Sequence, residues 1–255
     1  MTHDSDAVPG LANKLTAKHA VYNTTAMPSE IYPYNQEKTI QVGIPLRAEF
    51  QKVTEVDKND AKKSLDIDLK SKVLLSVGGG LGAQKVNIAV VKASKKLLTN
   101  NDLYIIHLTG KKLFNETQIA YEVQLNQDEL SRVKLIDFTT ELARYSSAAD
   151  VVITRAGATN IAEFARQAKP CIVIPNPVLT GGQQLHNAKV LIDNKAAIVV
   201  SETELDTLGS RIQELLSSTE SDRKNLGLKL NELAVNDADE KLATLLLEIT
   251  QTKVE

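Results

Sequence analysis

From Lys72 to Val200 short apolar runs alternate with longer segments of helical spacing, and this alternation constrains the fold more than any other feature of the 255-residue chain. VLLSV is followed by a helical pattern over Ala83 to Leu98, LYIIHL by one over Asn115 to Leu125, and VKLID by one over Glu141 to Ala148. VVIT, IVIP and AIVV continue the series. Strand-length runs separated by helices predict right-handed βαβ units, because parallel strands need a crossover between them. Six such runs suffice for one complete Rossmann-like, doubly wound parallel sheet of the α/β class.

The flanks read differently. After Val200 the chain turns to Glu/Leu/Lys-rich segments, Glu204 to Ser217, Asp222 to Leu233 and Asp237 to Thr250, all of helical spacing. In the last of them Leu242, Leu245, Leu246 and Ile249 form one apolar stripe that needs cover. Residues 1–70 hold a helix pattern over Gly10 to His19, polar loops around Pro28 and Pro33, a strand pattern over Thr39 to Val42 and a charged stretch from Gln51 to Lys72. That is too little for an independent domain.

Composition removes several function classes. Thirty Lys and Arg against 32 Asp and Glu leave a net charge of −2, with 4% aromatic residues and no Trp. Neither a basic field nor a base-stacking surface for nucleic acid exists. No apolar run approaches the ~20 residues that span a bilayer, and Met1 to Asp4 lacks the order of a signal peptide, so a soluble, cytoplasmic chain is expected. The single Cys171, inside CIVIP, reads as a small buried hydrophobe.

Candidate binding residues concentrate where strand patterns pass into helix patterns. Gly78 to Gly82 joins a strand to a helix, which suits either a phosphate cradle at the helix N-terminus or a tight turn with close packing. No Gly-Lys-Ser/Thr closes it as a P-loop would. The second strand ends at His107-Leu108-Thr109-Gly110 without the acid that holds a nicotinamide-linked ribose. In VVITRAGATNIAEFARQAKPCIVIPNPVLTGGQQLHNA (151–188), Glu163 is either a carboxylate for vicinal ribose hydroxyls or the far end of a capping box led by Asn160. Gln183 and Gln184 suit sugar hydroxyls or simply the polar first turn of a helix over Gln183 to Asn194; His186 and Asn187 share that ambiguity. Arg47 and Arg155 are diphosphate ligands or solvated charges. His3, Asp4 and Asp6 form either a general-base or sugar-contact cluster or a solvated N-terminus. No metal-ligand spacing or nucleophile–His–acid arrangement is visible.

Taken in order, these pieces resemble the MurG family, the peptidoglycan N-acetylglucosaminyltransferases of glycosyltransferase family 28. HDSDAVPGLANK (3–14) is similar to the family's H-E-x-N/D-x-x-P-G-L-x-N, and VGIPLR (42–47) to its V-G-N-P-V-R hinge. Gly78 to Ala83 resembles its second glycine loop, HLTG (107–110) its H-x-S/T-G, Arg155 to Glu163 its R-x-G-A-x-x-x-x-E, and QQLHNA (183–188) its Q-Q-x-x-N-A. The resemblance implies a GT-B fold with one complete C-terminal, donor-binding Rossmann-like domain. Residues 1–45 would be a remnant of the N-terminal acceptor-binding domain and hinge, 46–235 the UDP-sugar domain, and 236–255 a helix packing on the N-terminal domain.

The same resemblance implies that Glu163 holds the ribose and that Gln183 and Gln184 meet the GlcNAc hydroxyls. Arg47 and the Gly80-Leu81-Gly82 loop would meet the diphosphate, Ala158, Thr159 and Asn160 would line phosphate and sugar, and Thr139 beside Phe138 would read the uracil. Gly80-Leu81 stands where the family commonly has Ser-Gln, and Pro175 to Gly182 lacks the family's basic residue before the glutamines. The implied reaction is inverting transfer of GlcNAc from UDP-GlcNAc to lipid I, undecaprenyl-pyrophosphoryl-MurNAc-pentapeptide, at the cytoplasmic membrane face, with no cofactor or metal. Asp4 and Asp6 are the candidate bases this chain carries. Most of the family's first domain, on the order of 100 residues, is expected to be missing, which leaves three readings. The chain is the donor half of a transferase completed by a further N-terminal-domain segment or chain, a noncatalytic nucleotide-sugar-binding or scaffold subunit, or a GT-B enzyme with another acceptor.

Overall fold

The computed structural model describes residues 1–79, 83–178 and 180–251. Two parallel sheets organise them. The smaller joins β1 (Thr2–Asp4), β2 (Asn23–Thr25) and β3 (Thr39–Gln41) in that order. The larger runs β6 (Val133–Ile136), β5 (Leu103–Leu108), β4 (Lys72–Val77), β7 (Val151–Arg155), β8 (Cys171–Ile174) and β9 (Ile198–Val199). Helix α1 (Leu11–Thr16) lies in the front segment and α2 (Glu55–Ser64) leads into β4. The strands of the larger sheet are connected by α3 (Gln84–Leu97), α4 (Phe114–Gln124), α5 (Gln127–Ser131), α6 (Leu142–Ala148), α7 (Ala158–Arg166) and α8 (Gln183–Asp193). Helices α9 (Leu208–Ser217), α10 (Glu220–Glu232) and α11 (Ala238–Gln251) follow.

All six predicted runs of the larger sheet appear, all parallel, and two-sided burial explains why β4, β5, β7 and β8 read as continuous apolar stretches, while β6 and β9 are half-buried edges. Along β4, Val73, Leu75 and Val77 face a core completed by Ala61 of α2, Tyr145 of α6, Phe164 of α7 and Leu191 of α8. Leu74 faces the opposite core, with Val86 and Val90 of α3, Tyr121 of α4 and Ile212 of α9. β4 pairs with β5 on one side and β7 on the other, so the strand order reverses at β4 and opens a crevice above the C-terminal ends of β4 and β7.

The front differs from its sequence reading. The N-terminal His3–Asp4 segment, offered as a solvated end or a polar cluster, forms β1, the polar stretch ahead of Pro28 forms β2, and the Gln51–Lys72 stretch contains α2, started by a capping box between Thr54 and Asp57. Strand β2 is polar yet buried because its hydroxyls find partners: Thr24 Oγ1 donates to the Thr2 carbonyl at 2.8 Å and Thr25 Oγ1 to the Met27 carbonyl at 2.9 Å. The Gly10–His19 pattern is α1 followed by a single 3₁₀ turn. The AIVV run contributes only the two residues of β9, and Glu202–Thr207 is 3₁₀ ahead of α9.

The hinge after β3 turns at Gly43, whose φ of +81° belongs to the left-handed region. A Cβ there would stand 2.8 Å from Val235 Cβ and 3.4 Å from Ala238 Cβ, so the α10–α11 turn packs directly on the hinge backbone. Only the first residue of α11, Ala238, is buried. Leu242, Leu245 and Ile249 are half-buried and Leu246 and Leu247 exposed. Replacing Gly43 by Ala forces both a left-handed alanine and a clash with Val235. A loss of about 2–3 kcal/mol is expected in urea unfolding, with Gly10→Ala, which meets nothing within 4 Å, as the neutral control.

Candidate functional site at the C-terminal edge of the larger sheet

The helices that leave the C-terminal edge of the larger sheet start without side-chain caps. Helix α7 begins after Gly157, α8 after Gly182 in left-handed conformation, α3 after Ala83 and α6 after Glu141, and none of these residues caps its helix. Helices α2, α5 and α10, which start away from this edge, each carry a capping box, led by Thr54, Asn126 and Thr219. Uncapped first turns leave backbone N–H groups without side-chain acceptors, and the helix dipole adds positive potential, an arrangement that suits an anion. Gly80, Leu81 and Gly82, assigned to the phosphate from the sequence, lie outside the described residues.

Helix α7 holds the acid. It starts at Ala158, which makes Asn160 an interior residue, so the capping-box reading of Asn160 and Glu163 is replaced. Asn160 Nδ2 donates to Thr154 Oγ1 at 3.3 Å and ties the first turn to β7. Ala158 is buried and Thr159 exposed. Glu163 is half-buried, and its side-chain carboxyl accepts no hydrogen bond among the described residues. Burial pushes its carboxyl up to about 7, while Arg47 pulls it back and Glu49 pushes it further up. A partly desolvated carboxylate with free lone pairs is what vicinal hydroxyls would bond.

Arg47 reaches this site from the hinge. Its Nη1 donates to the Thr140 carbonyl at 2.7 Å and pairs with Glu49 Oε1 at 2.9 Å, and the guanidinium lies 5.5 Å from the Phe50 ring centroid. This fixes Arg47 beside the β6–α6 loop, where Thr139 Oγ1 accepts from the Glu141 amide at 2.9 Å. Exposed Phe138 stands under the Lys111 ammonium at 4.8 Å. On α8, Gln184 Oε1 accepts from the Asn176 amide at 2.9 Å, which holds the β8–α8 loop, and Gln183 sits half-buried in the first turn. The structure therefore gathers Arg47, Thr139, Ala158, Thr159, Asn160, Glu163, Gln183 and Gln184 along one edge.

Asp4 and Asp6 stand in structural bonds. Asp4 Oδ1 accepts from the Gly10 amide (3.0 Å) and Asn13 Nδ2 (2.8 Å), and Oδ2 from the Tyr34 hydroxyl (2.7 Å). Asp6 Oδ1 accepts from Asn187 Nδ2 at 2.8 Å. Asn187, ambiguous in sequence, is fully buried and joins the two sheets. Its Nδ2 also reaches the Ala156 carbonyl at 2.9 Å, and its Oδ1 takes the Ala7 amide at 2.8 Å. Arg155 is not a solvated charge: it pairs with the buried Glu202 carboxylate at 2.6 Å, and Lys85 meets the same carboxylate at 2.7 Å.

Two measurements check these assignments. Glu202→Ala leaves the Arg155 charge buried without its carboxylate, and a loss of about 3 kcal/mol in chemical denaturation is expected. For Glu163, an unfolded glutamate releases its proton near ~4.3 while the folded one holds it to about 7. Stability therefore falls as pH rises between those values and is level above and below them. Glu163→Gln is expected to stabilise the protein by ~1 kcal/mol at pH 8, partial exposure screening the rest, and to change little at pH 4 in thermal melts.

The model of the glycosyltransferase family 28 C-terminal domain matches residues 73–242. A protein of Natranaerobius thermophilus named UDP-N-acetylglucosamine--N-acetylmuramyl-(pentapeptide) pyrophosphoryl-undecaprenol N-acetylglucosamine transferase is 33% identical over 220 residues, 86% of this chain and 58% of its own length. One of the same name from Bacillus cytotoxicus is 28% identical over 98% of this chain and 67% of its own. The chain thus spans roughly three-fifths of the length of such relatives. Among solved structures, Acinetobacter baumannii MurG superposes with a TM-score of 0.75 at 23% identity, covering 96% of this chain and 65% of that one. WaaG, a glycosyltransferase involved in lipopolysaccharide biosynthesis, superposes at 0.61 and 14% identity over 92% and 69%. The fold is accordingly of the GT-B type, and the chain belongs to glycosyltransferase family 28, carrying its C-terminal domain.

Proposed function

We propose that this chain is the donor-binding half of an inverting N-acetylglucosaminyltransferase that uses UDP-GlcNAc and acts on lipid I to make lipid II. The observation that carries the reading is the edge itself: uncapped helix N-termini beside Arg47, with an unbonded carboxylate at Glu163 and two glutamines on α8. The shared name of the relatives supports the donor and the acceptor, and a Staphylococcus aureus MnaA–UDP structure of similar fold (TM-score 0.60, 14% identity) shows that such a frame accommodates UDP in that protein. Free N–H groups of α7 and α8 and the Arg47 guanidinium would take the diphosphate, and the Glu163 carboxylate the ribose hydroxyls. Gln183 and Gln184 would meet the GlcNAc, and Thr139 would lie toward the uracil.

In transfer, the C4 hydroxyl of MurNAc attacks C1 of GlcNAc as its proton passes to a base, and UDP departs. The helix N-termini and Arg47 would stabilise the charge growing on the leaving diphosphate, without a metal. Because Asp4 is already engaged by three donors and Asp6 by Asn187, we place the base outside them, in a further N-terminal-domain segment or chain that also brings the acceptor site to the cytoplasmic membrane face. Exposed Leu246 and Leu247 on α11 would be covered in that assembly. A noncatalytic nucleotide-sugar-binding or scaffold subunit, or a GT-B enzyme with another acceptor, would share the donor site and differ in transfer to lipid I.

Isothermal titration with UDP-GlcNAc tests the reading directly. Glu163→Ala is expected to weaken binding at least tenfold, the scale of a lost bond to a charged group. Binding should tighten about tenfold from pH 6 to pH 8 as Glu163 ionises, with Glu163→Gln abolishing that slope. A folded protein giving no heat at millimolar ligand removes the donor assignment. Transfer to a lipid I analogue only when the N-terminal domain is supplied separates the enzyme from the scaffold.

A further inference from the structure

A chain of buried hydrogen bonds runs beneath the site edge and serves none of the contacts described so far. His107, at the C-terminal end of β5, is fully buried. Its Nε2 lies 3.1 Å from Asn87 Oδ1 and its Nδ1 3.0 Å from the Tyr121 hydroxyl. Asn87, in the first turns of α3, places Nδ2 3.0 Å from the Thr109 carbonyl oxygen. That carbonyl can only accept, which settles the direction of every bond. The Asn87 amide donates to Thr109, so Oδ1 faces His107 and must receive Nε2–H. Nδ1 then carries the lone pair, and the Tyr121 hydroxyl donates to it. Burial holds the imidazole down at about 3, so the ring stays neutral and the chain keeps one polarity.

The bonds tie three elements at one point. Asn87 belongs to the helix that follows the glycine loop, Thr109 to the turn into α4, and Tyr121 to α4 itself. The Thr109 amide also donates to the Ile136 carbonyl at 2.9 Å, and Gly110 turns at φ +84°. Ser76, the register partner of His107 on β4, adds a buried hydroxyl without a hydrogen-bond partner among the described residues, so a polar layer crosses a core in which Leu74, Val86, Val90 and Ile105 pack. An apolar layer would be at least as stable, whereas a satisfied polar chain defines one geometry.

We propose that His107, Asn87 and Tyr121 are positioning residues that lock the Thr109–Gly110 turn to the start of α3, so that the first turn of α3, beside the crevice above β4 and β7, meets the donor diphosphate in a fixed arrangement. The inference rests on the donor-binding reading of the same edge. None of the three side chains touches the donor; they act through the backbone they hold.

The test is the affinity of Asn87→Leu for uridine, UDP and UDP-GlcNAc, with its melting temperature measured alongside. The expected result is a loss of at least fivefold for UDP and UDP-GlcNAc with uridine unchanged. Equal losses for all three, or none, overturn the proposal, since general loosening does not single out phosphates. Nitrogen-15 NMR of His107 in the unaltered protein gives an answer even if the variant does not fold: an Nε2–H tautomer is expected, and an Nδ1–H tautomer or an imidazolium overturns the chain. Unaltered protein that binds neither UDP nor UDP-GlcNAc overturns the donor reading and the purpose assigned to the device, while the tautomer still reports whether the chain exists.

Discussion

Everything in this structure follows from the parallel pairing of β4 with both β5 and β7. Parallel neighbours cannot be joined by a hairpin, so each connection crosses a face of the sheet as a helix and both faces are covered. The crossings return every strand in the same direction, and all strand-to-helix turns fall on one edge. Where the order reverses at β4, those turns diverge and leave a crevice. The uncapped first turns of α3, α7 and α8 are a consequence of that geometry, and among the described residues no side-chain cap takes up their amides.

The smaller sheet is attached through buried polar contacts as well as through Ala7, Met27 and Tyr32, which share the core beneath the larger sheet. Asn187 alone satisfies the Ala7 amide, the Asp6 carboxylate and the Ala156 carbonyl. Gly43 lets the hinge backbone pass against Val235, and the path from it delivers Arg47 to the Thr140 carbonyl. The hinge therefore contributes a cationic group to an edge otherwise built from the larger sheet.

Legibility in the sequence tracked the physical signal available. β4, β5 and β7 are buried on both faces and read as apolar runs, and the helices between them show a clear period. β2, Asn23-Thr24-Thr25, is as buried as they are, but its polar atoms are satisfied through partners such as the Thr2 carbonyl, which no local pattern displays. α2 was signalled by Thr54 and Asp57 at capping-box spacing, masked by the charges around them. Arg155 sits in a motif run beside candidate ligands, yet its guanidinium pairs with Glu202, 47 residues away in sequence.

The sequence by itself determined the class of fold, the alternation of strands and helices in the larger sheet and the family, because hydrophobic periodicity and motif order are local properties of the chain. Only the tertiary structure decided which polar residues are free to bind and which are structural. The Glu163 carboxyl proved to be without a hydrogen-bond partner among the described residues and partly desolvated, Asp4 engaged by Gly10, Asn13 and Tyr34, and His107 locked between Asn87 and Tyr121. A side chain's availability depends on the donors and acceptors that folding brings to it from distant segments, and on how much water it loses there.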